Sequence, residues 1–525
     1  MYQALLTRKY LTSKVMPLLA SLAVVLCTAM VLITWSVMGG FLAMLLNSGR
    51  TLLGDVNISW PSTGFAHYED LIDRLEKDES VAAATPLIET FGLISLPDGR
   101  REGILVKGID GPGYAKVTEY ERTLWWRPLE TPLRKDVKRD DPRVADDTFW
   151  KGFDWKRFLE NGRKLQRRDE KSGEFKPAAV LGIEVSGFNS RRPEGYFEPR
   201  LPYRRTVKGD LEPARVFAPD NMSVTLNLIP LDASGRTIDM VSWSLPVANE
   251  VHSGIYETDN RVVFAPLKEL QRKLHLDQGV KAERVSNGLG ARIEIDPATG
   301  EERIVTPQIV AEDPARVTNV YVRAKDGTSA DELKKRVAAI YARFEHDHAG
   351  KVPAPEDIKI LTWEDQNRTM INAVKKETGL VLFIFSFISL TAVFLVLAIF
   401  WSMVSEKTKD VGILRAVGAS RAGIAGVWLA YGMMIGVVGS GLGGTLAYVV
   451  VKNINPIHEW LGKTFDLYIW DPRIYYFSEV PSQMDASKAA IVLAGGIISS
   501  VLGALIPAVR AASMEIGRAA CRERV

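Results

Sequence analysis

Four stretches of this chain hold side chains able to do chemistry. Glu345-His346-Asp347-His348 has the residue types of a metal site. Histidines two apart share a face only on a strand, however, and this stretch follows a helical pattern and precedes Gly350. It reads as a solvated helix end, and no metal site is expected. Gly439-Ser440-Gly441-Leu442-Gly443-Gly444 satisfies G-x-G-x-x-G. A dinucleotide site would need a preceding strand, and this stretch is embedded in a long apolar run. Gly462-Lys463-Thr464 is similar to the end of a phosphate-binding loop, but Ile457 stands where the earlier glycine is required. Residues 119–176 set tryptophans beside arginines, yet acids match bases there and no basic stripe forms, so nucleic acid is not an expected partner. Neither a carboxylate pair nor a nucleophile–base arrangement stands out. The expected catalytic set is empty, no cofactor is expected to bind directly, and the chain reads as something other than an enzyme.

The elements that would position any site are set by hydropathy. Of the 525 residues, 46% are hydrophobic and 25% charged, with a net charge of +3. The charge is nearly absent from four apolar runs, at 15–46, 380–404, 422–452 and 489–510. A bilayer is crossed by about 20 helical residues at about 1.5 Å each, so each run predicts a transmembrane helix. The first run exceeds the roughly 7–15 apolar residues of a signal peptide and reads as an uncleaved helix. Residues 1–14 carry Arg8, Lys9 and Lys14 and no acid, which places them in the cytoplasm. Cys27 and Cys521 are too far apart to pair, so no disulfide framework is expected.

Residues 47–372 read as a large α+β domain outside the membrane, between the first and second membrane helices. The pattern alternates strand (55–60), helix (68–77), hairpin (91–96 and 101–109), strand (178–185), strand (318–324) and a serine-capped helix (329–344). Residues 119–176 and 191–313 interrupt it as insertions rich in charge, aromatics or proline, expected to form a lid.

Two further segments lie at the membrane faces. In 405–421, Lys407, Lys409, Arg415 and Arg421 outnumber Glu406 and Asp410, which predicts a cytoplasmic position. Val411, Leu414, Val417 and the Gly418-Ala419 pair are spaced to give a short helix one apolar face. In 453–487, Glu459, Asp466, Asp471, Glu479 and Asp485 outnumber Lys463 and Arg473, as expected on the other side. Small residues recur four apart at Gly432, Gly436 and Ser440, at Gly439 and Gly443, and at Gly495, Ser499 and Gly503. That is the spacing of close helix–helix packing in membranes. With almost no ionisable side chain in the four runs, no polar path through the bundle is expected.

The string Asp410-Val411-Gly412-Ile413-Leu414-Arg415-Ala416-Val417-Gly418-Ala419 resembles the signature of the FtsX-like permease family. The runs Leu105-Val106-Lys107-Gly108-Ile109-Asp110 and Leu181-Gly182-Ile183-Glu184 resemble parts of the MacB-like periplasmic core domain of that family. Asp471 to Asp485, which runs DPRIYYFSEVPSQMD, is similar to a segment of lipoprotein-releasing (Lol-type) permeases, as is the end of the last run, Pro507-Ala508-Val509-Arg510-Ala511-Ala512. The resemblance implies an ABC-type complex in the bacterial inner membrane, with the large domain periplasmic. Glu406, Lys407 and 410–419 would form a coupling helix docked on a cytoplasmic ATPase dimer that holds ATP and Mg. A second permease subunit, identical or paralogous, and a periplasmic lipoprotein, chaperone or adaptor would be the other partners. Lipoprotein release is the implied function; macrolide or peptide efflux, and signalling to cell-wall hydrolases, are the alternatives. Two departures stand out: Tyr431 precedes Gly432 where the family often has an acid or amide, and the tail after Met514, within 511–525, looks unrelated.

Overall fold

The computed structural model describes residues 15–61, 63–97, 99–128, 154–169, 172–187, 189–191, 197–199, 203–205, 211–213, 222–231, 236–237, 239–282, 292–295, 302–305, 309–467, 470, 477 and 480–514. The helices used below are α1 (Val15–Leu52), α2 (Tyr68–Glu76), α3 (Gly111–Val117), α4 (Trp155–Lys164), α5 (Ala330–Asp347), α6 (Arg368–Glu406), α7 (Thr408–Ala416), α8 (Arg421–Lys452) and α9 (Ala486–Ser513). The strands are β1 (Val56–Ser59), β2 (Val81–Ser95), β3 (Arg101–Ile109), β4 (Ala179–Gly182), β5 (Ser223–Leu228), β6 (Val241–Val251), β7 (Val262–Pro266), β8 (Asn319–Ala324) and β9 (Lys359–Thr362). The chain divides into two compact units, one of residues 1–46, 369–470 and 479–525 and one of 47–368 and 471–478.

The first unit is helical. α1, α6, α8 and α9 each contain a stretch long and apolar enough to cross a membrane. α8 and α9 pack along each other. Below them Val411 of α7 joins a buried cluster with Phe400, Met403, Val404, Trp428, Ala508 and Ala511.

The second unit is built on a nine-stranded mixed sheet in the order β5-β6-β4-β7-β3-β2-β8-β1-β9. β2, fifteen residues long, pairs with β8 through its first half and with β5 through Gly92 to Ser95. That second pairing closes β2, β3, β7, β4, β6 and β5 into a ring. Two pairings, β7 with β3 and β6 with β4, are parallel. Alternation along the strands fills the interior: Val224, Leu226 and Leu228 of β5 meet Trp243, Leu245 and Val247 of β6 in the main core. Leu71 and Leu75 of α2 and Leu333, Val337, Tyr341 and Phe344 of α5 complete that core. A second core gathers Tyr114, Tyr120, Phe264 and Tyr321 with Leu52.

Several sequence expectations need revision. The segment 191–313 is no lid: it supplies β5, β6 and β7, three strands of the main sheet. Their hydrophobic alternation is short and split by polar stretches, so it looks like elaboration when read linearly. In 119–176, Tyr120, Leu124 and Leu165 belong to the second core instead of covering it. The strand expected at 178–185 stops at Gly182, and a helical turn, Ile183–Ser186, follows. A Cβ at Gly182 would sit 2.3 Å from the Asp259 carbonyl oxygen, so the chain turns where backbone lies against backbone.

His348 lies at the C-cap of α5, where its Nε2 is 3.0 Å from Asp70 Oδ2 and its ring stacks on His67 at 4.4 Å. His346 is exposed. Among the described residues no group of three or more His, Cys, Asp and Glu is arranged to hold a metal. Gly439 to Gly444 lie inside α8, and Gly462 to Thr464 inside the helix Ile454–Phe465. Most of 471–485, and the tail 515–525 with Cys521, fall outside the described residues.

Candidate docking helix and its supports

α7 is short, nine residues or about 13 Å. Its placement depends on what joins it to its neighbours. α6 ends at Glu406, the Lys407 amide bonds the Met403 carbonyl at 3.0 Å, and Lys407 pairs with Asp410 at 2.9 Å. At the other end the helix closes in a Schellman turn. Gly418 takes φ 101°, the Ala419 amide reaches the Leu414 carbonyl at 2.9 Å, and the Gly418 amide reaches the Arg415 carbonyl at 3.1 Å. Only glycine enters that conformation without strain, so Gly418 fixes where the helix stops. Ser420 then caps α8, its Oγ accepting from the Gly423 amide at 3.0 Å.

The apolar residues of 411–419 do not share one face. Val411 is 4% exposed and points into the bundle. Ile413 and Val417, four apart, are 63% and 84% exposed. Leu414 and Gly412 are half-buried, and Ala416 is exposed. The expected single face of Val411, Leu414 and Val417 is therefore divided. Val411 anchors the helix, whereas Val417, at the C-cap, joins Ile413 on the outer side. Arg415 Nε is buried and finds no acceptor among the described residues. Glu406 and Lys409 are exposed on either side of the helix start.

The small residues supporting this platform use two faces of α8. A Cβ at Gly432 would lie 2.6 Å from Ala504 Cβ, and one at Gly436 would lie 3.0 Å from Ile497 Cα, both on α9. Gly439 and Gly443 lie against α1, where a Cβ would come 2.8 Å from Val24 Cβ and 2.7 Å from the Val25 carbonyl oxygen. Gly503 of α9 meets Val396 of α6. Ser440 is 1% exposed. Ser499 lines a cavity of about 300 Å³ between α1, α6 and α9, with Cys27, Ser386 and Ser389. Gly495 is a correction: a Cβ there would meet nothing within 4 Å, and its neighbour Gly496 faces Ser440 and Thr28 instead. One residue turns a helix by about 100°, enough to move the contact off the expected stripe. Spacing did not reveal the aromatic group beneath α7, where Phe400 meets Tyr431 at 5.6 Å and Trp428 at 6.4 Å. Tyr431, the departure noted before Gly432, is thus a packing residue.

The family model of the FtsX-like permease C-terminal domain matches residues 382–516. The lipoprotein-releasing system transmembrane protein LolC of Xylella fastidiosa is 27% identical over 157 residues, 30% of this chain and 38% of that protein. LolC of Neisseria meningitidis serogroup B is 24% identical over 156 residues, 30% of this chain and 38% of that protein. LolE of Haemophilus influenzae is 25% identical over 112 residues, 21% of this chain and 27% of that protein. The chain thus spans about two fifths of the LolC relatives it matches. Among solved structures, the periplasmic region of MacB from Actinobacillus actinomycetemcomitans aligns with 63% of this chain and 98% of its own, with a TM-score of 0.27 and 10% identity.

Proposed function

We propose that this chain, which carries an FtsX-like permease domain over residues 382–516, is the membrane subunit of an ABC-type complex that transmits ATPase-driven motion to its large domain. The observation that carries the reading is the division of α7: Val411 is anchored in the bundle while Ile413 and Val417 stand exposed four residues apart. An exposed apolar pair on a short helix offers a partner a small contact surface. In this reading α7 docks on a cytoplasmic ATPase dimer, which binds ATP and Mg. A push there reaches α6 and α8 through Gly418, Ser420 and the buried aromatic group.

The similarity to lipoprotein-releasing permeases favours lipoproteins at the outer face of the inner membrane as cargo. A second permease subunit would complete the complex. The large domain would be periplasmic, handing cargo to a periplasmic acceptor. Co-purification tests the coupling step. Ile413→Asp should abolish capture of the cognate ATPase and leave the thermal stability of the permease unchanged, because the residue is exposed. Full capture by Ile413→Asp and by Val417→Asp would overturn it.

A further inference from the structure

Glu250 is a buried acid that the coupling reading does not use. It lies near the end of β6 with no exposed surface. One oxygen is fully engaged: Oε2 accepts from Trp126 Nε1 at 2.7 Å and from Asn189 Nδ2 at 2.6 Å. The other, Oε1, is buried without a hydrogen-bond partner among the described residues, and so is Asn189 Oδ1. The Ser186 side chain also faces the carboxyl. None of these neighbours is charged. The ionisable pair just past the end of the strand is closed on itself: His252 Nδ1 lies 2.9 Å from Asp259 of the helix Tyr256–Arg261, and Asp259 also accepts from the Ser253 amide and hydroxyl and the Gly254 amide.

A carboxylate here would bury a full negative charge with an oxygen bare, which costs far more than burying a neutral acid. A neutral carboxylic acid removes that charge, and its hydroxyl adds a donor beside Asn189, whose Oδ1 is an unpaired acceptor. We infer that Glu250 is a proton-binding site, and that its proton governs how firmly the segments carrying Trp126 and Trp155 are held on β6. Burial pushes its carboxyl up to about 7 against the opposing pull of its polar neighbours Ser186, Trp126 and Asn189, which puts the change in the physiological range. The held segments are specific. Trp126 stacks near Trp155 of α4 at 6.2 Å. Asn249, beside Glu250, ties both down, its Nδ2 donating to the carbonyls of Trp126 at 2.9 Å and Phe158 at 2.8 Å.

Amide hydrogen exchange on the full chain in lipid nanodiscs tests this, read over 124–128 and 155–164 between about pH 5.5 and about pH 8.5 and corrected for the intrinsic rate. Protection should fall by about tenfold or more across that range in the wild type. In Glu250→Gln, which keeps the shape and a donor without the charge, protection should stay flat with pH. The infrared spectrum of the wild type at low pH should hold a carboxylic-acid C=O band that Glu250→Gln lacks. A flat wild-type profile, the same pH dependence in Glu250→Gln, or no carboxylic-acid band assignable to Glu250 would each overturn the inference. The last result would mean that the site holds an ionised carboxylate satisfied by water or a cation.

Discussion

Ser500 Oγ on α9 donates to the Gly432 carbonyl oxygen on α8 at 2.8 Å, a buried side chain-to-backbone bond between two membrane-length helices. It exists because Gly432 and Gly436 let the backbones approach so closely that a hydroxyl spans the gap.

That closeness predicts how α8 tolerates volume. Gly432→Val puts a side chain where a Cβ alone would come 2.6 Å from Ala504 Cβ. The helices must part, losing the Ser500 bond as well, at an expected cost of about 1–3 kcal/mol. Gly441→Ala, where nothing lies within 4 Å, should be neutral. Thermal unfolding of the two variants in detergent measures the contrast, and equal melting temperatures would refute the packing argument.

Val411 and Ile413 should separate stability from docking. Val411→Ala leaves a void among Phe400, Trp428 and Ala508 and should lower stability by about 1–3 kcal/mol. ATPase capture should then weaken only in proportion to the folded fraction. Ile413→Asp should do the reverse, losing capture at unchanged melting temperature. Parallel melting and pull-down measurements on both variants decide it.

The division of α7 marks where linear reading ends. The apolar runs, the basic segment and the serine caps were legible because length, charge and local hydrogen bonding are properties of neighbours in sequence. Which way each apolar residue faces was not, because Gly418 ends the helix and Val417 falls past its last turn. The same limit explains the large domain. Tyr68–Glu76 and the hairpin of β2 and β3 have strong local periodicity. The pairing of β5 with β2, which sets Thr225 opposite Ser95 and Leu228 opposite Gly92, joins residues more than 100 positions apart, and no local pattern encodes it. Gly495 and Gly496 differ by one position, and only the partner helix decides between them.

In the large domain, Lys107 and Glu89 form a largely buried ion pair at 2.8 Å, with the Tyr321 hydroxyl donating to the same Glu89 oxygen at 2.7 Å. Burial works to raise the Glu89 carboxyl, but the Lys107 ammonium and the Tyr321 hydroxyl overcome it and hold the group below its ordinary value. A depressed folded-state value means the stabilisation is present above the ordinary carboxylate range and is lost as pH falls through the folded value. Lys107→Ala strips Glu89 of its charge partner and should destabilise the domain by about 3 kcal/mol. The double variant Lys107→Met with Glu89→Gln should recover much of that loss. Melting temperatures of the three proteins at neutral pH test the pair, and a double variant no better than Lys107→Ala would count against it.

The orientation of the chain gives the last test. The coupling reading requires α7 in the cytoplasm and the large domain outside, and both follow from where basic residues gather. Lys409 and Lys335 are exposed, on α7 and on α5 respectively. With Cys27→Ser and Cys521→Ser as background, Lys335→Cys should react with a membrane-impermeant thiol reagent added to intact spheroplasts. Lys409→Cys should react only after the membrane is opened. Labelling of Lys409→Cys from outside would put α7 on the wrong side for any cytoplasmic ATPase. The exposed Ile413–Val417 pair would then need an external partner instead. Labelling of both positions from outside would also place the acidic 453–487 segment in the cytoplasm, against the charge rule that motivated the orientation.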